Sequence, residues 1–520
     1  MKHSVKTAGI LFMIVLFLFF ASVFGESQGR AGTDDSKLTE IHLLGINDFH
    51  GQLDTHSVQS GKKVGGAEYL AAHINKRREL HEHSLLLHAG DMTGGSPPLS
   101  SLFLDEPAVE FMNQLKFDAG TPGNHEFDRG IGELKRLING GYHRSTGYFK
   151  GADFDYVSAN VIDKETGKPI FPAYTIKEMD GVQIGIIGVV TKETNQFLLP
   201  ENREQIEITD ESEAINQAAS QLKKLGVESI VVLAHAAAAS DQNGERAGEE
   251  LVEMAPKITD EVDVIFGAHS HKRANTRIGN KLIVQSYSYG KAFSDVTLLI
   301  DRSQKEIIQK EAQIILTDHS QAVPDEGALK LIDKYKKKVG AEYSKEIGSL
   351  PRDLTRKKNH QGQSPLAALL AESMMKEMNT DIAFVHHGGI RESLKRGPVT
   401  KQHLIAALPF NHYAAEVSLS GKQIKEVLEQ QWSLKAENLL QTKGLTFEID
   451  RSAPKGERIK ELKTEDGEVI EEKKMYRAAA SNYLASGGDG FEAFKSGVII
   501  QKGPELSDIL SHYLVKSFDK

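Results

Sequence analysis

Seven side chains with oxygen or imidazole donors recur along this chain in short, similar settings. They are Asp48 and His50 in "GINDFHG", Asp91 in "LHAGDMTGGS", Asn124 in "TPGNHEFD", His235 closing "VVLAH", and His269 and His271 in "GAHSH". Oxygen and nitrogen donors without sulfur suit borderline or hard divalent ions such as zinc, manganese, cobalt or magnesium. Two Asp, one Asn and four His are too many for one tetrahedral ion, and suffice for two if a carboxylate bridges them. A pair of ions lowers the pKa of a shared water and clamps the oxygens of a phosphate, giving a hydroxide nucleophile at neutral pH. Most of the other histidines, including His81 and His83, read as solvated surface.

The elements that must position these groups follow from the apolar runs. "IHLLGIN" (Ile41 to Asn47), "SLLLHAG" (Ser84 to Gly90), "FDYVSAN" (Phe154 to Asn160), "VQIGIIGVV" (Val182 to Val190), "SIVVLAH" (Ser229 to His235) and "VDVIFGAH" (Val262 to His269) read as buried strands. Helical patterns such as "GAEYLAAHINKRREL" and "ESEAINQAASQLKKLG" lie between several of them. Alternating strands and helices predict an α/β layered domain over residues 38–300. Each candidate donor then sits at the carboxyl end of a predicted strand, the edge where open α/β sheets build sites. Asp48 and His50, one residue apart, leave an extended segment on the same side. The charged segment after residue 301 contains "ALKLIDKYKKKVGAEYSKEI", which reads as one amphipathic helix bridging domains over 325–346. A smaller second domain is expected over 347–516, mixing helices ("SPLAALLAESMMKEM") with strands ("DIAFVHHGG", "GLTFEID").

Composition narrows the partners. The 520 residues are 39% apolar and 26% charged, enough for two or three domains with separate cores. With a net charge of −9 and no basic run longer than Lys336 to Lys338, no groove for a nucleic-acid polymer is indicated. Lys2 and Lys6 precede "AGILFMIVLFLFFASVF", which reads as the apolar core of a signal peptide over 1–25 with cleavage after Gly25. Export to the periplasm, the cell surface or the medium follows, without stable membrane insertion once the segment is cleaved; an uncleaved anchor is the alternative. The chain has no cysteine, so thiol catalysis and disulfides are excluded.

Taken in order, "NDFHG", "AGD", "GNHEFD", "LAH" and "GAHSH" resemble the motifs of the calcineurin-like metallophosphoesterases, and specifically the bacterial 5'-nucleotidase and UDP-sugar hydrolase family. "HHGGIR", "LPFN" and "SNYLASGGDGF" extend the likeness across residues 40 to 515. The resemblance implies a two-domain α/β protein. Its N-terminal domain would be a layered αββα-type metallophosphoesterase domain, and its C-terminal domain a smaller α+β substrate-binding one. It implies that Asp48, His50 and His271 hold one ion, that Asn124, His235 and His269 hold the other, and that Asp91 bridges. His125, oriented by Asp128, would stabilise the transferring phosphoryl group; a carboxylate on one ring nitrogen fixes the tautomer and favours the imidazolium. Asp128 would also serve as a helix cap ahead of "RGIGELKRL".

In the second domain the resemblance makes Arg391 a phosphate ligand, its planar fork following two glycines. Phe491 becomes a stacking platform for a base, with Asp489 beside it; simple core packing is the alternative for Phe491. The chain departs from the family where His386 and His387 replace an Asn before "GGIR", and where Leu439 and Leu440 stand near an expected second aromatic. The implied activity is release of phosphate from a small nucleotide. A 2',3'-cyclic-nucleotide phosphodiesterase or UDP-sugar diphosphatase is the alternative within the class, and an extracellular nucleotide-binding module or adhesin the alternative outside it.

Overall fold

The computed structural model describes residues 37–518 apart from 199, 360, 411 and 434–436. The expected signal segment, and Asn411 of "LPFN", lie outside the described residues.

Five of the six runs that read as buried strands are buried on both faces, because two six-stranded sheets stack on one another; of "FDYVSAN" only Asp155–Tyr156 is strand, at a sheet edge with Asp155 exposed. The first sheet runs, edge to edge, Glu306–Leu316, Ala292–Asp301, Leu38–Ile46, Ser84–His88, Ala119–Gly120 and Asp155–Tyr156. The second runs Tyr174–Met179, Val182–Val190, Ser229–Ala237, Val264–Ala268, Lys281–Ser286 and Arg273–Ile278. Ile41, Leu43, Leu85 and Leu87 of the first sheet meet Ile184, Ile186, Val231, Leu233 and Phe266 of the second in a wholly apolar layer. The alternate residues face outward: Leu44, Ile46 and Leu86 pack on the helices Ala67–Leu80, Glu106–Leu115 and Glu326–Val339. Ile187, Val189, Ile230 and Val232 pack on the helix Glu211–Lys224, whose first turn is capped by Asp210 accepting from Glu213 N–H at 3.1 Å. The result is an αββα sandwich. Its central strands are parallel, so the carboxyl ends of Leu38–Ile46, Ser84–His88 and Ala119–Gly120 share one edge. Those of Val182–Val190, Ser229–Ala237 and Val264–Ala268 share the facing edge.

The charged segment after residue 301 departs from the expected bridge. Glu306–Leu316 pairs antiparallel with Ala292–Asp301 and extends the first sheet past residue 300. The helix Glu326–Val339 buries Leu331, Ile332 and Tyr335 in the core of the sandwich. The expected helix is also broken: Gly340 turns away at φ 77°, a short helix Ala341–Ser344 follows, and the strand Glu346–Leu350 begins where the pattern had still predicted helix.

The second unit is a five-stranded sheet in the order Gln441–Lys443, Ile382–Val385, Met475–Ser481, Tyr413–Ser420 and Val498–Glu505. One face carries the helices Pro365–Met378 and Leu506–Phe518. The other carries Gly421–Glu429 and Trp432. Ser364 caps the first of these helices, with Pro365 at its first position. No helix among the described residues is long and apolar enough to cross a membrane.

Candidate metal centre and cleft

At the shared edge of the sandwich the structure gathers the seven donors into two adjoining groups, Asp48/His50/His271 and Asp91/His235/His269, with Asn124 against the two histidines of the second. Their backbone is unusual. Asp48, His50, Asp91, His269 and His271 all have φ between 49° and 70°, a left-handed conformation that side chains with a Cβ seldom adopt. Asp48 and His50 therefore do not leave an extended strand on one side, as their spacing suggested. Each sits in a turn beyond the strand end, because the strand stops at Ile46.

Hydrogen bonds behind the donors set which atoms face inward. His50 donates through Nδ1 to Gly94 O at 2.8 Å, and His235 through Nδ1 to Ala89 O at 2.9 Å. Each Nε2 is thereby left to face the centre. His50 Nε2 stands 3.3 Å from His271 Nε2 and 3.5 Å from Asp91 Oδ2. His235 Nε2 stands 3.0 Å from Asn124 Oδ1 and 3.3 Å from the same Asp91 Oδ2. His271 Nε2 lies 3.4 Å from Asp48 Oδ1, and His269 Nδ1 lies 3.0 Å from Asn124 Oδ1. Potential ligand atoms thus converge, at separations matching the edges of about 3.0–3.4 Å between ligands held about 2.1 Å from one ion. The donor set fits two divalent cations, with Asp91 Oδ2 facing both groups.

The electrostatics agree. Burial pushes the Asp91 carboxyl up, but His235, His125 and His50 around it hold it well below the usual carboxylate range. Burial pushes His235 down, and Asp91 outweighs it, so its pKa rises to about 9. Without a cation, a proton on His235 is the counter-charge for Asp91; an ion would displace it. Burial and the neighbouring His235 hold His269 near 4, a neutral imidazole suited to coordination.

Two close approaches explain the glycines of these loops. A Cβ on Gly123 would come 2.2 Å from Asp91 Oδ1, and one on Gly90 would come 2.7 Å from His235 Nδ1. Glu126, passed over in the sequence although it belongs to "GNHEFD", locks the same loops together. Its carboxylate accepts from the N–H groups of Asp91, Met92, Thr93 and Gly123 at 2.9, 2.8, 3.1 and 2.6 Å. Burial and the Asp91 charge push its pKa to about 7 against the pull of those donors.

His125 stands beside the donors. Its backbone N–H donates to Asp91 Oδ1 at 2.9 Å, and its Nδ1 meets Asp128 Oδ2 at 2.9 Å. Burial lowers the pKa of this imidazole, Asp128 and Asp91 raise it, and the net direction is up. Asp128 bonds this ring and makes no side-chain cap for the helix Ile131–Asn139, whose N-cap is Gly130.

A cleft of about 480 Å³ opens from these groups toward the second unit. Phe410 lies parallel to the His125 ring at 5.5 Å, His412 stacks on Phe410 at 5.6 Å, and Tyr483 on His412 at 5.4 Å. Tyr483 donates to Asp489 Oδ1 at 2.7 Å, so this ladder of rings ends on a carboxylate. Arg391 sits over the Phe410 ring at 5.6 Å, and its buried Nε and Nη2 have no hydrogen-bond partner. An unpartnered buried guanidinium on a cleft wall calls for an anion. Phe491 is not on that wall. It is fully buried in the core cluster of Trp432, Phe384 and Phe494, so its expected stacking role is corrected to packing. Phe410 and Tyr483, aromatics of "LPFN" and "SNYLASGGDGF", line the cleft instead.

An αββα sandwich carrying paired His/Asp groups at its strand ends is the architecture of a metal-dependent phosphoesterase. Residues 41–273 match the model for the calcineurin-like phosphoesterases, and residues 339–496 the model for the 5'-nucleotidase C-terminal domain. The chain belongs to the 5'-nucleotidase family. It is 37% identical to the endonuclease YhcR of Bacillus subtilis over 97% of its own length, and spans 42% of that protein's length. It is 30% identical to the cell wall protein Lmo0130 of Listeria monocytogenes, covering 96% of this chain and 69% of that one. The crystal structure of a 5'-nucleotidase precursor from Thermus thermophilus superposes with a TM-score of 0.78 at 27% identity, over 92% of this chain and 96% of that one.

Proposed function

We propose that the chain is an exported dimetal phosphohydrolase that releases phosphate from nucleotides bound across the cleft. The observation that carries this reading is the convergence of His50 Nε2, His235 Nε2, His271 Nε2, Asn124 Oδ1 and the carboxylates of Asp48 and Asp91 at one edge of the sandwich. Asp48, His50 and His271 would hold one ion and Asn124, His235 and His269 the other, with Asp91, which faces both groups, between them. When bound, such a pair lowers the pKa of a shared water and draws charge from the phosphoryl oxygens. Arg391 takes the phosphate in its fork and orients it. His125, held through Nδ1 by Asp128, presents its other ring nitrogen to the charge developing on the phosphoryl group or its leaving oxygen. Phe410, inclined by 22° to that imidazole at 5.5 Å, covers part of one side of it. The rings of Phe410, His412 and Tyr483 offer π-faces to a base, and Asp489 a polar end to the subsite. Secretion, the cell surface and the periplasm all suit an enzyme of this kind, the segment 1–25 being removed as a signal peptide.

The test is to express the chain from Glu26, strip and restore divalent metals, and assay mono-, cyclic and sugar nucleotides. Metal-dependent release of inorganic phosphate from nucleoside monophosphates is expected. Products that keep the phosphate on the nucleoside would move the assignment to the cyclic phosphodiesterase or sugar-nucleotide diphosphatase. Tight binding without turnover would move it to a binding protein.

A further inference from the structure

The sheet end that carries Asp48 is fastened by a residue outside the seven donors. Asn47 is the first residue past the strand Leu38–Ile46, and its buried side chain bridges to the end of Lys281–Ser286 in the second sheet. Its Oδ1 accepts from Ser286 N–H at 3.0 Å and from the Ser286 hydroxyl at 2.8 Å. Its Nδ2 donates to Tyr287 O at 2.7 Å and to Asp48 Oδ2 at 2.6 Å. An N–H on one side and a carbonyl on the other leave the amide a single orientation, with every donor and acceptor of the side chain used. Asp48 Oδ2 is thus held from behind, while Asp48 Oδ1 lies 3.4 Å from His271 Nε2. The His269 N–H reaches both oxygens at 3.1 Å and so does not choose between them. The same clip fixes the turn after Ser286, where Tyr289 donates its N–H to Asp48 O at 2.8 Å. The Tyr289 ring stands edge-on, 5.6 Å from the ring of His50 and 5.1 Å from that of His271. These contacts all serve the group Asp48/His50/His271. Among the described residues the Asn47 side chain makes no hydrogen bond to Asp91, Asn124, His235 or His269.

We propose that Asn47 is the positioning residue of this first group, turning Asp48 so that Oδ1 rather than Oδ2 is offered to an ion, an assignment that rests on the dimetal reading of the site. Groups bonded behind a metal ligand fix its orientation, and losing one commonly costs about 10–100-fold in metal affinity. The constraint weighs more here because Asp48 sits at φ 50°, a backbone conformation that does not hold itself. An aspartate in place of Asn47 would keep the shape and remove the donor. One of its oxygens would then face Asp48 Oδ2 and Tyr287 O, where like charge and an unmatched carbonyl both work against the present orientation. An alanine there would free Asp48 Oδ2 to turn. Ser286→Ala takes away one of the two bonds to Asn47 Oδ1 and leaves the other three contacts, so its effect is the smallest.

The test strips the full chain of metal after export processing and titrates it with zinc alone, beside Asn47→Asp, Asn47→Ala and Ser286→Ala. Binding is read by calorimetry and by the zinc retained after dialysis. The parent is expected to take two ions. In both Asn47 variants one ion should bind about 10–100-fold more weakly and the other as in the parent, with a smaller shift of the same kind in Ser286→Ala. Double variants identify which ion is affected: Asn47→Ala added to His235→Ala should weaken both, and added to His271→Ala should leave the remaining ion as it was. Two ions bound as in the parent, or both weakened equally, would overturn the proposal. If the Asn47 variants lose their native circular dichroism, Ser286→Ala decides by the same criterion. Because the readout is binding, a parent that takes two ions and hydrolyses no nucleotide would fail the enzyme reading and leave this one standing. A parent that takes a single ion would overturn both.

Discussion

The two walls of the cleft are built on opposite principles. On the sandwich side every group is fixed in advance: imidazole tautomers by the carbonyls of Gly94 and Ala89, loops by Glu126, and ligand backbones in left-handed turns. On the opposite side Arg391 keeps two buried donors unpartnered, and the ring ladder offers flat faces rather than directed bonds. The difference teaches that one wall is preorganised by its own hydrogen bonds and the other is left open to a ligand. The first wall pre-spends its ordering during folding; the second completes its bonds only when occupied.

The largest effect should come from breaking the preorganised wall at its shared atom. Asp91→Asn is expected to lower phosphate release by about 10³-fold or more while the circular dichroism stays native, since the bridging charge goes and the shape remains. Near-normal turnover would mean that the two donor groups act separately. Next, His125→Ala should lower kcat by about 10²–10³-fold with metal content unchanged, measured by steady-state kinetics beside metal analysis. Loss of metal in that variant would show that His125 supports the ligands rather than the reaction.

Effects on the open wall should be smaller and fall on binding. Arg391→Ala is expected to raise KM by about 10–100-fold with a lesser change in kcat. The smallest separates the aromatics: Tyr483→Ala should weaken nucleotide KM by about tenfold and leave hydrolysis of a phosphate ester without a base unaffected. If the base-free ester suffers equally, the ring ladder shapes the metal site and not the subsite.

The sequence made the central strands legible because residues buried on both faces leave uninterrupted apolar runs, as in "VQIGIIGVV" and "SIVVLAH". The donors were legible because they follow those runs at one edge of the sandwich. What was not legible depended on packing across the chain. Glu306–Leu316 has one half-exposed face and reads as charged linker, yet pairing with Ala292–Asp301 makes it a strand. Phe491 and Tyr483 flank the same glycines, and nothing local tells which ring turns inward to the core and which to the cleft. His81 looked solvated until the fold set it against His42, whose ring lies 3.5 Å away.

The left-handed turns at Asp48, His50, Asp91, His269 and His271 carry a consequence for how this protein can change. Each holds a side chain with a Cβ where glycine would rest more easily, at a cost on the order of 1 kcal/mol apiece. A chain with glycine at one of them would be relieved of that strain and disarmed in the same step. Selection for thermal robustness alone would therefore erode the ligands one by one, so their presence together marks a chain kept below its attainable stability by the work it does.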